Sequence, residues 1–256
     1  MSRPSSTNAA RHAADGSTGL RFVSEGRTHR GMVRKLNEDA FIENPEAGLW
    51  AVADGMGGHN SGDFASALVI RRLGSIGPAE TAYALRREVA RQLKLANEEL
   101  LASAEGGSRG AMGATVAVLT VCRGYYSCTW AGDSRVYLLR KGRLRQITTD
   151  HSVVQTLVDA GEISAEEARH HSRAHIVTRA IGANGQLLLE TANGELEPGD
   201  RFLLCSDGLT SVMEDRQILE LIANQDSQVA IDSLIRHTLE NGAPDNVTAI
   251  LTDTLG

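Results

Sequence analysis

Two apolar runs in this chain end alike. Trp50-Ala-Val-Ala-Asp54-Gly55 and Leu203-Leu-Cys-Ser-Asp207-Gly208 each deliver an aspartate and then a glycine. The glycine lets the backbone turn sharply and approach a ligand closely. Asp245 stands before a last apolar run in Pro244-Asp245-Asn246-Val247, Asp39 precedes Ala40-Phe41-Ile42, and Asp133 follows Trp130-Ala131. A single Asp-Gly pair makes a turn more often than a site; the repetition is what carries information. Five carboxylates at strand ends could converge at one edge of a sheet core. Clustered carboxylates repel and are costly to desolvate unless a cation sits among them. Hard oxygen donors with no Cys/His quartet nearby favour Mg2+ or Mn2+ over Zn2+. Two such ions bridged by one aspartate can hold a hydroxide at neutral pH and neutralise a phosphoryl group under in-line attack.

The elements that must position these groups are legible as runs and stripes. Residues 48–53 and 201–205 are short, nearly continuous apolar runs, suited to strands buried on both faces. Residues 114–121, 125–131 and 136–139 follow at hairpin spacing, with Gly124 and Lys141-Gly142 supplying the turns, and 247–251 closes the chain. Helical stripes fall between: Ala65, Leu68, Val69 and Leu73; Ala82, Leu85, Val89, Leu93, Ala96 and Leu100; and Ile231, Leu234, Ile235 and Thr238, stopped by Gly242 and Pro244. The pattern predicts a layered protein with sheets inside and helices outside; it does not determine strand order.

Bulk properties set limits. A chain of 256 residues with 41% hydrophobic residues can bury a real core, and the absence of a Pro- or Ser-rich linker beyond Arg21 predicts one domain, 20–256. Residues 1–19, rich in Ser, Ala and Arg without an apolar period, are expected to form a disordered tail. The net charge of -6 gives no general reason to expect nucleic acid or an anionic membrane as partner. Cys122, Cys128 and Cys205 form no CxxC pair and fit a reducing cytosol as small apolar residues. The longest apolar stretch, residues 114–122, is far short of the ~20 residues that span a bilayer. No signal-type start is visible, so a cytoplasmic monomer is expected.

The ordered set of short motifs resembles the metal-dependent Ser/Thr protein phosphatases (PPM, protein phosphatase 2C-like) in their compact bacterial form. The segments are Arg34-Lys-Leu-Asn-Glu-Asp-Ala40, Val52-Ala-Asp-Gly-Met-Gly-Gly-His59, Gly113-Ala-Thr115, Ala131-Gly-Asp-Ser-Arg135, Thr149-Asp-His151, Thr178-Arg-Ala-Ile-Gly182, Cys205-Ser-Asp-Gly208 and Pro244-Asp-Asn-Val247. The resemblance implies an α+β fold, a four-layer α-β-β-α sandwich of two antiparallel sheets flanked by helix pairs. It implies that Asp54 bridges two Mn2+ or Mg2+ ions, that the Gly55 carbonyl ligates one, and that Asp207 and Asp245 complete the first site. Glu38 and Asp39 would orient metal-bound waters. Asp133 matches the aspartate that bacterial members use for a third, weaker ion. Arg34 would bind substrate phosphate through parallel hydrogen bonds. The implied reaction is hydrolysis of phosphoserine and phosphothreonine on proteins by the metal-bridging hydroxide, opposing a bacterial Ser/Thr kinase, with that kinase and its targets as partners.

One departure stands out. Eukaryotic relatives carry Asp-Gly-His where this chain has Asp54-Gly55-Met56, and that histidine is the family's proposed general acid. His59, His171 and a metal-bound water are the candidates to replace it, His171 in a flap expected over about 152–176. His170 and His175 are expected on the flap surface, His151 in a loop or cap, and Asn37 and Asn246 as loop-fixing side chains. Other classes fare worse. A cysteine-based phosphatase needs an arginine six residues beyond its thiolate, where this chain has Cys128, Ser134 and Ser211. A two-metal nuclease would prefer a basic surface. A non-catalytic binding relative would lack a metal ligand, and every ligand position here is filled.

Overall fold

The computed structural model describes residues 11–14, 19–58, 61–105 and 110–256. Its apolar runs become strands buried on both faces, because side chains alternate between two cores. In β4 (Leu49–Gly57), Leu49, Ala51 and Ala53 face a helical layer while Trp50 and Val52 face the opposing sheet. In β11 (Arg201–Cys205), Phe202 and Leu204 face that same central core while Leu203 and Cys205 face the other helical layer. This two-sided burial is why the sequence shows continuous apolar runs rather than alternation.

Both sheets are antiparallel. One is built from β3 (Asp39–Asn44), β4, β6 (Val116–Cys122), β7 (Tyr125–Ala131) and β10 (Glu190–Glu195), in the order β10-β7-β6-β4-β3. A short strand, β5 (Met112–Ala114), pairs with the end of β4. The other sheet runs β1-β2-β12-β11-β8-β9, with β1 at Arg11–Ala14, β2 at Arg21–His29, β8 at Arg135–Arg140, β9 at Arg143–Gln146 and β12 at Val247–Leu255. Strand β1 falls inside the segment expected to be a disordered tail. The free edge of β2 offers unpaired backbone groups, and β1 satisfies them in the register His12↔Val23. The remainder of that expected tail, 1–10 and 15–18, lies outside the described residues, as does His59.

Helices α1 (Gly62–Gly74) and α2 (Ala82–Glu105) lay Leu68, Val69, Leu85, Val89 and Leu93 on the outer face of the first sheet. Helices α6 (Asp215–Ile222) and α7 (Ser227–Glu240), with the single turn α5 (Asp207–Thr210), cover the second through Ile218, Ile222, Ile231 and Leu234. The result is the α-β-β-α sandwich. Cys128 and Cys205 are buried in it, and burial pushes both thiols up to about 12. Between β9 and β10 the chain forms the flap, carried by α3 (Val153–Asp159) and α4 (Ala165–Arg169), of which α4 buries no side chain. Among the described residues no helix is long and apolar enough to cross a membrane.

One turn sets the start of β4. A 3-10 turn at Pro45–Ala47, capped by Asn44, ends at Gly48 with φ +65°, and a Cβ there would meet the Val121 carbonyl oxygen at 2.2 Å. Replacing Gly48 with alanine therefore combines backbone strain with a clash. Gly48→Ala is expected to destabilise the protein by on the order of 1–3 kcal/mol, lowering the thermal midpoint by roughly 3–10 °C. An unchanged midpoint in thermal unfolding would contradict this account of the turn.

Candidate metal centre

The strand ladders bring the expected aspartates together. Asp39 and Asp54 are directly opposed in the β3–β4 register. Asp207 follows β11 through Ser206, whose N–H donates to the Thr248 carbonyl of the neighbouring β12. Asp245 precedes β12, and Asp133 sits in the corner between β7 and β8. A cavity of about 450 Å3 is lined by Arg34, Glu38, Asp54, Gly55, Asp133, Asp207 and Asp245. Asp39 lies behind this wall, buried, with Ser206 Oγ donating to its Oδ2 at 2.8 Å.

Two glycines are required by close packing. At Gly55 a Cβ would meet the Gly62 carbonyl oxygen at 2.0 Å, and at Gly208 it would meet the Asn246 carbonyl oxygen at 1.8 Å. Neither has a positive φ, so close approach and not turn conformation explains them. Polar side chains fix the surroundings. Thr115 N–H donates to the Asp54 carbonyl at 2.8 Å, and Thr115 Oγ1 lies 2.7 Å from Ser134 Oγ, beside Asp133. Asn246 Nδ2 donates to the Arg30 and Leu36 carbonyls, and its Oδ1 accepts from Glu38 N–H at 2.7 Å. Asn37 Oδ1 accepts from Asp39 N–H. These two asparagines fix loops, as read from the sequence.

The electrostatics are those of an anion cluster short of positive charge. Burial, followed by neighbouring carboxylates, raises Asp39 to about 7 and Asp133 to about 8, and holds Asp54 well above the usual carboxylate range. Burial and Asp245 raise Asp207 as well. Asp39 Oδ1 and Asp207 Oδ1 are buried and without a hydrogen-bond partner, a costly condition for a carboxylate. Arg34 Nη2 donates to Asp245 Oδ2 at 2.5 Å. Among the described residues, no three Asp, Glu, His or Cys side chains close on one point as a finished ligand set; the carboxylates ring the cavity instead. Hard donors, raised proton affinity and unpaired buried oxygens all fit divalent cations of the Mg2+ or Mn2+ type.

The histidines are distributed differently from the sequence expectation. His171 is absent from the cavity lining; its Nδ1 accepts from Arg173 N–H at 3.1 Å. His175, expected on the flap surface, is exposed but lines the cavity together with Ile176 and Val177. It also lines an adjoining cavity of about 340 Å3, between the flap and the half-buried Arg135–Asp150 pair. No sequence signal distinguishes His175 from His170 and His171, because only the path of the flap decides which one faces inward.

The fold and site together define an α-β-β-α sandwich protein with a carboxylate-ringed cavity suited to divalent cations. The chain belongs to the protein phosphatase 2C family, whose model matches residues 25–256. It is 37% identical over 237 residues to the serine/threonine protein phosphatase PstP of Mycobacterium tuberculosis, a match covering 92% of this chain and 45% of PstP. This chain thus spans about half the length of that relative. It is 34% identical to the serine/threonine phosphatase stp of Listeria welshimeri, over 90% of this chain and 95% of that protein. Among solved structures, PppA of Pseudomonas aeruginosa, described as a key regulatory component of T6SS, shares 42% identity at a TM-score of 0.84, covering 91% and 98% of the two chains. The catalytic domain of PstP in complex with two manganese ions shares 36% identity at a TM-score of 0.84, covering 93% and 100%.

His151 ties the metal-proximal corner to the flap. Its Nδ1 accepts from Gly132 N–H at 3.1 Å, its ring stacks on Trp130, and its Nε2 lies 3.3 Å from both Glu190 Oε1 and Arg179 Nη1. The accepting Nδ1 assigns the neutral ring's proton to Nε2. Burial and Arg179 lower the pKa of His151, against an opposing pull from Glu190. Protonation would put a second proton on Nδ1, against the Gly132 donor. A lowered folded pKa means that the stabilisation is present above the unfolded value of ~6.5 and is lost as pH falls. His151→Gln is therefore expected to lower the thermal midpoint at pH 7.5 and to cost less at pH 5.5. A cost independent of pH would rule out the neutral-imidazole account.

Proposed function

We propose that residues 20–256 form a catalytic unit that hydrolyses phosphoserine and phosphothreonine on proteins. The observation that carries this reading is one cavity lined by four buried or half-buried aspartates, Glu38 and a guanidinium. Asp54, the Gly55 carbonyl, Asp207 and Asp245 would hold Mn2+ or Mg2+, with Asp133 toward a third ion. When bound, such ions supply a nucleophile from water at neutral pH and neutralise phosphoryl charge. Arg34 is half-exposed, and Asp245 accepts from its Nη2; its remaining N–H groups suit the phosphate oxygens of a substrate. Glu38 on the cavity wall, and Asp39 behind it, would orient metal-bound waters. Substrates would be phosphoproteins of a bacterial Ser/Thr kinase, that kinase included, in the cytoplasm.

The reaction adds water across the P–O bond, releasing phosphate and the serine or threonine alcohol. The departing alkoxide needs a proton. Met56 has none to give, and His175 lines the cavity, so its imidazole is the donor in this reading. p-Nitrophenolate is a weaker base and leaves without one.

Hydrolysis of p-nitrophenyl phosphate is expected to stop on chelation and to return with Mn2+ or Mg2+. Asp54→Asn should remove about 4 kcal/mol of transition-state stabilisation, roughly a thousandfold in rate. Calorimetric metal binding should weaken in parallel, while circular dichroism of the metal-free chain stays unchanged. Full turnover by metal-free protein would sink the reading.

His175→Ala should slow phosphopeptide hydrolysis by about a hundredfold to ten-thousandfold while sparing most p-nitrophenyl phosphate hydrolysis. Selective loss in His59→Ala or His171→Ala instead would move the role to that residue, and proportional loss of both substrates would remove it from His175.

A further inference from the structure

The loop joining β2 to β3 carries Arg34 to the cavity, and the large apolar side chains beside it point to solvent. Met32 is 64% exposed, Val33 69% and Leu36 46%. Their backbone is held in place at several points. Met32 N–H donates to the Ala243 carbonyl at 2.9 Å, and Asn246 Nδ2 spans the loop by donating to both the Arg30 and Leu36 carbonyls at 2.8 Å. Gly31 takes φ +78° where a Cβ would meet the Asp245 carbonyl oxygen at 2.1 Å, so the loop lies hard against the segment that bears a metal-site aspartate. A backbone pinned in this way cannot fold its side chains inward without losing those bonds. Scattered exposed apolar residues are ordinary. Three within five consecutive positions, bracketing the phosphate-facing arginine on a fixed loop, form a patch that marks an interaction surface. On the cavity wall itself stand Met56 and Ile176, the latter 39% exposed on the flap. Arg30 and Lys35 add exposed positive charge to the loop.

Resting on the phosphatase reading, we propose that Met32, Val33 and Leu36 are a docking surface for the polypeptide flanking the phosphorylated residue. They would select phosphoprotein segments with a large aliphatic side chain within two or three residues of the phosphoserine or phosphothreonine. Continuity with the cavity chooses this occupant. A phosphoryl group at Arg34 fixes one residue of the bound chain, and an extended chain advances only ~3.3 Å per residue. Its next residues therefore lie within reach of the loop positions adjacent to Arg34. The basic flanks of the loop suit a dianionic phosphopeptide. A second copy of this chain seated on the same patch would cover the residues beside Arg34 that the substrate must cross.

The test uses two phosphothreonine peptides identical except for leucine or serine at the flanking positions, with p-nitrophenyl phosphate as a substrate that cannot reach the patch. The parent chain should hydrolyse the leucine peptide with a kcat/KM roughly tenfold or more above the serine peptide, chiefly through KM. The Met32→Ser, Val33→Ser, Leu36→Ser triple variant should lose that preference and keep its activity on p-nitrophenyl phosphate. Equal rates on the two peptides by the parent, or an undiminished preference in the variant, would overturn the proposal. So would loss of p-nitrophenyl phosphate activity in the variant, which would mean that these residues only position Arg34. A concentration-dependent dimer by light scattering, abolished in the triple variant, would assign the patch to a second copy instead. Failure of the parent on every phosphate ester would count against the phosphatase reading and not against the docking surface.

Discussion

Carboxylates that repel one another are held together at one edge of this sandwich, and most of the local architecture follows from that. Asp39, Asp54, Asp133 and Asp207 all carry raised proton affinities, with burial as the leading cause and neighbouring aspartates next. Left to themselves, such groups would separate or turn outward to water. The fold denies them both options. Asp39 and Asp54 are locked opposite each other by a ladder, and the corner bearing Asp133 is tied to that ladder through the Thr115–Ser134 hydroxyl contact. Asp207 and Asp245 are brought together because Gly208 has no side chain to keep Asn246 away. A cluster strained in this way gains from any divalent cation that enters it, so the cost of assembling the site in the metal-free chain becomes affinity for metal.

The stiffness this requires comes from burying both sheets on both faces. Each central strand feeds two cores, so a shift of one strand would disturb the packing of two layers at once. Strand ends are therefore fixed even where the chain leaves the sheet, and that is where the aspartates sit. The flap obeys the opposite rule. It buries little beyond Ser152 and Val154 and is closed at its base by the Ser152↔Val177 bridge. A segment with so few buried apolar contacts belongs to the low-stability end of the molecule. It lies beside the rigid cluster and lines the same cavity through His175, Ile176 and Val177.

Much of this was legible in the residues. The runs through Trp50 and Leu203 read as doubly buried strands because two cores leave no polar face, and the stripes of α1, α2 and α7 read as helices for the complementary reason. The aspartates that ring the cavity were legible because each flanks an apolar run. Three things were not. Strand order depends on long-range pairing, which local pattern does not encode. Strand β1 lies in a polar, Ser- and Ala-rich stretch and exists through the free edge of β2, a tertiary effect that overrides composition. The place of the exposed His175 on the cavity lining depends on the course of an irregular segment, where neither period nor turn chemistry marks a face. His151, read as a loop or cap residue, does lie in the loop before α3, where its stacking on Trp130 and its bond to Gly132 join the Asp133-bearing corner to the flap.

The loop that carries Arg34 shows how one residue can serve both requirements. Asn246 follows the cavity-lining Asp245 in sequence, and its N–H donates back to Asp245 Oδ1 at 2.8 Å. The same side chain binds both ends of the Arg34 loop and the N–H of Glu38. An alanine there would leave two carbonyls and an amide without partners, at a cost of about 1–3 kcal/mol each where they are buried. The geometry that sets Asp245 in the cavity wall is thus the geometry that presents Arg34 there, with Met32, Val33 and Leu36 beside it. Asp245, Arg34 and the exposed apolar patch are coupled through one amide side chain. A change on the loop's exposed outer face leaves the cluster untouched, whereas a change at Asn246 must disturb all three together.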